Sequence, residues 1–288
     1  MIFYRILDNV LYHVEETKNL GFEKSEGYRI PDEYLDNQKF TIMRTANGIG
    51  DWGIISAMPR LLKQKYPNCR VYVPSEKLMG KLFGVESDIT RNIFSNNPYV
   101  DKFKDYILGE VFHDHYRVYD KSNPNIPLIK QMLTFWQFSE DEMKDSQPEL
   151  YWSDEEKLLG NSIIKKYVGD EDFGCLLISD RFGTQYGKYD KKSYDNDYTK
   201  TNNLLESNNL PYFYWSYKHL DDIGFKINKA LDMKHMNLRL QLYIKSKARV
   251  NISNQCGANH MVVRYSKCYE IQRQFPISHN FVEGEIYL

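Results

Sequence analysis

One carboxylate stands where chemistry could be asked of it. Asp51 lies between Gly50 and Trp52 in the run Thr41-Ile-Met-Arg-Thr-Ala-Asn-Gly-Ile-Gly-Asp-Trp-Gly. The apolar opening of that run predicts a buried strand, and its glycines predict a tight turn into a helix. Strand-to-helix turns at the carboxyl edge of a parallel sheet are where α/β proteins hold ligands. Glycine also lets another molecule approach the backbone closely. Asn47, Gly48, Gly50 and Trp52 are therefore candidates to line the turn on its ligand side. An acid held there can take the proton from a bound hydroxyl, provided it comes within about 3 Å. The competing reading is that Asp51 merely caps a helix beginning near Trp52, since Asp is a favoured N-cap.

The elements around the turn follow an α/β rhythm. A short strand over Phe40–Arg44 leads to a helix over Gly53–Tyr66, which Pro67-Asn68 ends. A strand over Cys69–Val73, a helix over Glu76–Phe83 and a strand near Lys104–Leu108 come next. Helices are predicted over Ile126–Phe138 and from Ser153 to about Tyr167, the latter opening with an N-cap and early acids. Gly174–Ser179 reads as a buried strand followed by a polar loop to about Thr199. A strand at Leu210–Trp215, a helix over Leu238–Ser246, a last strand at Ala248–Ile252 and a helix opening over Gly257–Tyr265 complete the chain. Alternation of this kind means parallel sheets with crossover helices. It restarts after residue 150, which predicts a polar N-terminal extension over 1–38 and two α/β domains, 39–150 and 151–288, with a cleft between them.

Composition narrows the class. With 27% charged and 42% hydrophobic residues, the 288-residue chain has the profile of a soluble globular protein. A net charge of −1 argues against a nucleic-acid binder. No apolar run reaches bilayer-spanning length, and the start lacks the basic, apolar and small-residue regions of a signal peptide, so a cytoplasmic protein is expected. Cys69, Cys175, Cys256 and Cys268 show no paired C-x-x-C spacing, which favours reduced thiols over disulfides or zinc.

Two segments resemble glycosyltransferase family 9, the heptosyltransferase-like group of GT-B enzymes. The first runs from Asn47-Gly-Ile-Gly-Asp-Trp-Gly through Met58-Pro-Arg-Leu-Leu-Lys-Gln-Lys-Tyr-Pro-Asn-Cys-Arg-Val-Tyr-Val. It matches the family's G-x-G-D turn, apolar helix, K-x-x-Y-P and strand, and Asn97-Pro-Tyr-Val-Asp101 is similar to a downstream N-P-Y-V-D. The second is Asn237 to His260, which resembles the family's helix, strand and N-D-S-G-x-x-H run. The resemblance covers about a third of the chain. It implies a GT-B fold, two Rossmann-like domains whose parallel sheets face across the cleft. The N-terminal domain would take the acceptor and the C-terminal domain the nucleotide sugar. It also implies that Asp51 is the general base and that Gly257 and His260 approach the diphosphate. Gln255-Cys256-Gly257 departs from the pattern, because the family usually carries Asp where Gln255 stands.

The expected activity is an inverting glycosyl transfer from a nucleotide sugar to a glycan or lipid-linked acceptor, with peripheral membrane contact if the acceptor is a lipid. The nucleotide sugar is a co-substrate; no cofactor or metal is called for. Amides near Cys256 and Gly257, together with Gln255, His260, Arg181 and Lys188, would meet the diphosphate as it gains charge. Asp195-Asn-Asp197 has D-x-D spacing but reads as solvated loop acids. His113-Asp114-His115 lacks a third ligand on its strand face. Asp221 and Asp222 stand where the family often binds ribose, although an exposed helix-start pair reads as well. The alternative from another class is a non-catalytic GT-B-fold protein that binds a glycan, nucleotide or protein partner, which Gln255 favours and the Asp51 turn disfavours. A sugar-nucleotide epimerase of the same fold is a third option.

Overall fold

The computed structural model describes residues 3–7, 10–14, 35–44, 48–84, 87–107, 110–113, 126–127, 129–130, 133, 138–185, 188–227, 229–254, 257–271 and 282–288. They belong to two compact units, Met1–Tyr151 and Trp152–Leu288.

The first unit opens with an antiparallel ribbon of β1 (Phe3–Leu7) and β2 (Val10–Val14), and β1 lies against β6 (Glu110–His113). The remaining strands are β3 (Lys39–Met43), β4 (Arg70–Pro74) and β5 (Lys102–Lys104), and with β6 they form a parallel sheet in the order β5-β4-β3-β6. β3 and β4 are buried along nearly their whole length, as expected of parallel strands covered on both faces. The helix predicted over Gly53–Tyr66 is instead two helices, α1 (Ile49–Ile54) and α2 (Met58–Lys65). Pro59 is the reason. It has no N–H to bond back into a preceding turn, so it is accommodated in the opening turn of a new helix. α3 (Glu76–Phe83) is capped by Ser75, whose hydroxyl accepts the Leu78 N–H, and α4 (Ile89–Phe94) follows. Asn97-Pro-Tyr-Val-Asp101 sets the β4–β5 edge. The Asn97 side chain accepts the Tyr99 N–H, and Asp101 accepts the Val71 N–H at 2.7 Å and pairs with Lys63 and Arg70.

The second unit begins with α5 (Asp154–Val168), fixed by a capping box. The Glu156 N–H donates to the Ser153 hydroxyl, and the Ser153 N–H donates to the Glu156 carboxylate. Next come β7 (Gly174–Ile178), the hairpin of β8 (Thr184–Gln185) and β9 (Lys188–Tyr189), α6 (Lys191–Asn208), β10 (Tyr212–Ser216) and α7 (Leu220–Ile223). β11 (Ala230–Asp232), α8 (Leu238–Lys247), β12 (Val250–Asn254), α9 (Gly257–His260), β13 (Lys267–Ile271) and β14 (Glu285–Tyr287) complete it. Six parallel strands pair in the order β11-β10-β7-β12-β13-β14. Counted along the chain without the hairpin, that is the doubly wound order 3-2-1-4-5-6 of a Rossmann fold. α5 packs on α8 because Gly160 has no side chain; a Cβ there would collide with the Tyr243 ring.

Three expectations are corrected in this unit. The polar loop placed before Thr199 is mostly the long helix α6, capped by Asp190, whose carboxylate accepts the Ser193 N–H at 2.7 Å. Asp197 and Thr201 occupy core positions of that helix and interrupt the apolar period that Tyr194, Tyr198 and Leu205 carry on its inward face. Asp197 is therefore wholly buried rather than a solvated loop acid. β12 is not the last strand either. β13 and β14 extend the sheet, with glutamates turned inward at Glu270 and Glu285 where alternation would read them as outward. The helix opening at Gly257 ends at His260, and turns carry the chain on to β13.

Candidate functional site

In the first unit the turn after β3 presents a carboxylate held from one side. Gly48 is the N-cap of α1, and Asp51 sits in the first turn without making any capping hydrogen bond, so the capping reading fails. Its Oδ1 accepts from Nη2 of Arg44 at 3.1 Å. Arg44 is 2% exposed and the Asp51 side chain 38%, so the cation anchors one oxygen from beneath while the carboxylate stays open to solvent. Gly48 makes the arrangement possible, because a Cβ there would strike Asp51 Oδ2. Trp52 belongs to the core rather than to the turn's outer wall. It is fully buried, edge-on to Phe94, with an indole N–H that finds no hydrogen-bond partner. Gly50 lies within α1, and Asn47 is outside the described residues.

In the second unit the carboxyl ends of the strands form a continuous row. Strand order reverses between β7 and β12, the switch point at which open α/β sheets leave a crevice for ligands. Ser179 and Asn254 clasp each other across it. The Ser179 N–H donates to Asn254 Oδ1 at 2.7 Å, and Asn254 Nδ2 donates to the Ser179 hydroxyl at 2.8 Å. Arg181 is exposed just beyond Ser179, with its N–H bonded to the Ser179 hydroxyl. Lys188 is exposed on the β8–β9 hairpin. Gly257 opens α9 next to the switch point, while Gln255 and Cys256 lie outside the described residues.

Farther along the same edge, at the ends of β10 and β11, is a cavity of about 400 Å³ lined in part by Tyr214, Ser216, Tyr217, Asp222, Asp232 and Lys234. The Ser216 hydroxyl is buried there without a hydrogen-bond partner. The sequence offered Asp222 alone as a pointer to this cavity. The Ser179–Asn254 clasp left no signal, because its partners stand 75 residues apart.

His260 does not stand exposed at the sheet edge where a diphosphate contact was expected. It is buried, and its Nδ1 lies 2.8 Å from Glu285 Oε2 and 3.8 Å from Glu270 Oε2. Burial alone would raise the Glu285 pKa, but the neighbouring His260 charge and hydrogen bonds from His260, Tyr287 and Glu270 outweigh it and leave the group below its ordinary value. Asp197 shows the opposite balance. Burial dominates there, and the Gly183 N–H only partly counters it, so the carboxyl is pushed up to about 6. Cys69, Cys175 and Cys268 are buried free thiols, and burial pushes Cys175 up to about 12. Cys256, Asp114 and His115 lie outside the described residues. Among the described residues, no helix is long and apolar enough to cross a membrane.

No protein-family model matches the chain. An uncharacterized protein of Dictyostelium discoideum is 28% identical over 134 residues, which is 46% of this chain but only 11% of that protein's length. Solved structures carry the fold further. A glycosyl transferase of family 9 from Veillonella parvula superposes with a TM-score of 0.56 at 9% identity, covering 88% of this chain and 86% of that one. The ADP-heptose LPS heptosyltransferase II of E. coli gives 0.54 at 10% identity, over 87% and 90% of the two chains. The fold is therefore similar to that of these glycosyltransferases, an α/β architecture with parallel sheets.

Proposed function

We propose that this chain is a glycosyltransferase that takes its sugar from a nucleotide-sugar donor bound along the carboxyl edge of the second unit's sheet. The observation that carries the reading is the polar cavity beside β10 at the carboxyl edge of a doubly wound sheet. Its chemistry suits a nucleoside. Asp222 and Asp232 can accept from ribose hydroxyls, Tyr214 and Tyr217 offer aromatic faces to a base, and Lys234 and Arg181 can meet phosphate charge. Switch-point amides near Gly257 supply N–H donors to the diphosphate.

Asp51 of the first unit is the proposed base of an inverting transfer. The acceptor hydroxyl attacks the anomeric carbon, the bond from that carbon to the phosphate oxygen breaks, and the nucleoside diphosphate leaves with the electron pair. Asp51 takes the hydroxyl proton. Arg44 keeps the carboxylate oriented, so little is spent on positioning at the moment of reaction. The acceptor is a glycan or a lipid-linked saccharide, and the transfer itself uses no metal. A second reading, a GT-B-fold protein that binds nucleotide or glycan without catalysis, is favoured by the burial of His260 against Glu285, which takes away an expected phosphate contact.

A thermal-shift series with ADP, GDP, UDP, CMP and their sugar conjugates tests the donor site, comparing wild type with Asp222→Ala. A ligand at a hundredfold its Kd stabilises by about 2.7 kcal/mol. One nucleotide should raise the melting temperature in wild type and lose its effect in the variant. No shift with any of them, or equal shifts in both proteins, overturns the assignment. Transfer that survives binding and vanishes in Asp51→Asn separates the enzyme from the binding protein.

A further inference from the structure

The face of the second unit's sheet that α8 and α9 cover divides in two. Over β7 and β10 it is apolar, with Cys175 and Phe213 packed among Phe173, Leu240 and Ile244. Over β12, β13 and β14 it is polar. The register sets Ser253 beside Glu270 and Glu270 beside Tyr287, and one step back it sets Asn251 beside Cys268 and Cys268 beside Glu285. Residues paired in this way share a face, so these side chains form one buried polar layer. His260, from α9, meets that layer.

The His260 Nδ1, a Glu270 oxygen and a Glu285 oxygen all lie within 4.8 Å of one another, and the three side chains are 7%, 1% and 0% exposed. Two acids and an imidazole buried this closely offer the donor set that a divalent cation takes. Two further groups beside the cluster could bond an occupant. The Ser253 hydroxyl, fully buried on the same face beside Glu270, has no hydrogen-bond partner, and neither has Glu285 Oε1.

From this geometry we infer that His260, Glu270 and Glu285 bind a structural divalent cation of the zinc class. Imidazole with carboxylates is a common ligand set for zinc, and at bond lengths of about 2.1 Å a tetrahedral site separates its ligand atoms by about 3.4 Å. The observed 2.8 and 3.8 Å lie on either side of that spacing. A water in its fourth position provides a partner for the Ser253 hydroxyl. Tyr287 donates to Glu285 Oε2 at 2.8 Å and so orients that ligand from outside. The ion ties α9, β13 and β14 together. The inference stands whether or not the chain transfers sugars.

The test uses the full chain stripped with chelator, then dialysed against zinc alone, with bound metal measured by mass spectrometry and melting followed in parallel. One equivalent should be retained and the melting temperature should rise. Cobalt(II) in place of zinc should give a visible ligand-field spectrum. Tyr287→Phe, a mild change, should weaken zinc affinity about 10- to 100-fold. Glu270→Gln and Glu285→Gln should lose the equivalent altogether. Wild type that retains no zinc and melts unchanged overturns the site, and the cluster is then a proton-sharing pair beside a histidine. Retention equal to wild type in all three variants overturns it as well. If the glutamine variants do not fold, the wild-type titration and Tyr287→Phe still decide.

Discussion

The turns that carry Asp51 and His260 share a plan: a buried strand, a glycine and a short helix at the carboxyl edge of a parallel sheet. They end in opposite states. Asp51 stands half open, anchored by a buried arginine from below. His260 is closed in, because two more strands follow it in the chain and bring Glu270 and Glu285 against its ring. What a strand-to-helix turn can do is set by what the rest of the sheet places over it. A charge with one buried partner and an open side can act on an incoming molecule; a charge enclosed by partners acts on the fold.

Asp51→Asn should give the largest effect. Removing a general base costs about 10²- to 10⁴-fold in rate, while thermal stability should change little because the side chain is part exposed. Turnover measured with the donor found in the thermal-shift series checks this, and retained activity would remove Asp51 from the mechanism. His260→Ala should do the reverse, lowering stability by about 3–5 kcal/mol through the loss of a buried partner. Chemical unfolding of chelator-treated protein reads that directly; a change as small as that of Asp51→Asn would end the contrast between the two turns.

Asp197 extends the contrast to a buried acid that accepts the Gly183 N–H and, among the described residues, has no cation within pairing distance. Its carboxyl sits at about 6 in the folded chain against an ordinary 3.8. A raised carboxyl favours the folded state below the unfolded pKa, and that contribution is lost as pH rises through about 6. At about 1.4 kcal/mol per unit, a shift of this size amounts to about 3 kcal/mol. Asp197→Asn should therefore flatten the stability profile between acid and neutral pH and exceed wild type above it, as unfolding midpoints across pH would show. The smallest effect is expected of Gly48→Ala. The new methyl displaces the Asp51 carboxylate, so activity should fall by up to about 10²-fold with the fold intact. An unchanged rate would mean that the position of the Asp51 carboxylate is not critical.

Much of the architecture could be read without coordinates. β3, β4 and β7 are short apolar runs bounded by polar or glycine residues, and α3 and α5 carry their caps in the sequence, so hydrophobic pattern and capping chemistry located them. Pattern failed where polar residues take core positions. α6 hides its inward face behind Asp197 and Thr201, and β13 and β14 hide theirs behind Glu270 and Glu285. These are the places where a buried polar group is satisfied, or left wanting, by residues far away in the chain.

The sequence alone therefore determined the Asp51 turn, because a glycine, a carboxylate and the arginine that anchors it all lie within Arg44–Asp51. It determined the α/β rhythm for the same reason, since strand, turn and helix signals are local. Tertiary structure alone decided that Trp52 is core, that Ser179 and Asn254 close the switch point, and that His260 turns toward two glutamates. Those outcomes depend on which strands become neighbours, and pairing between β7 and β12 or between β13 and β14 leaves no mark in the residues on either side of a turn.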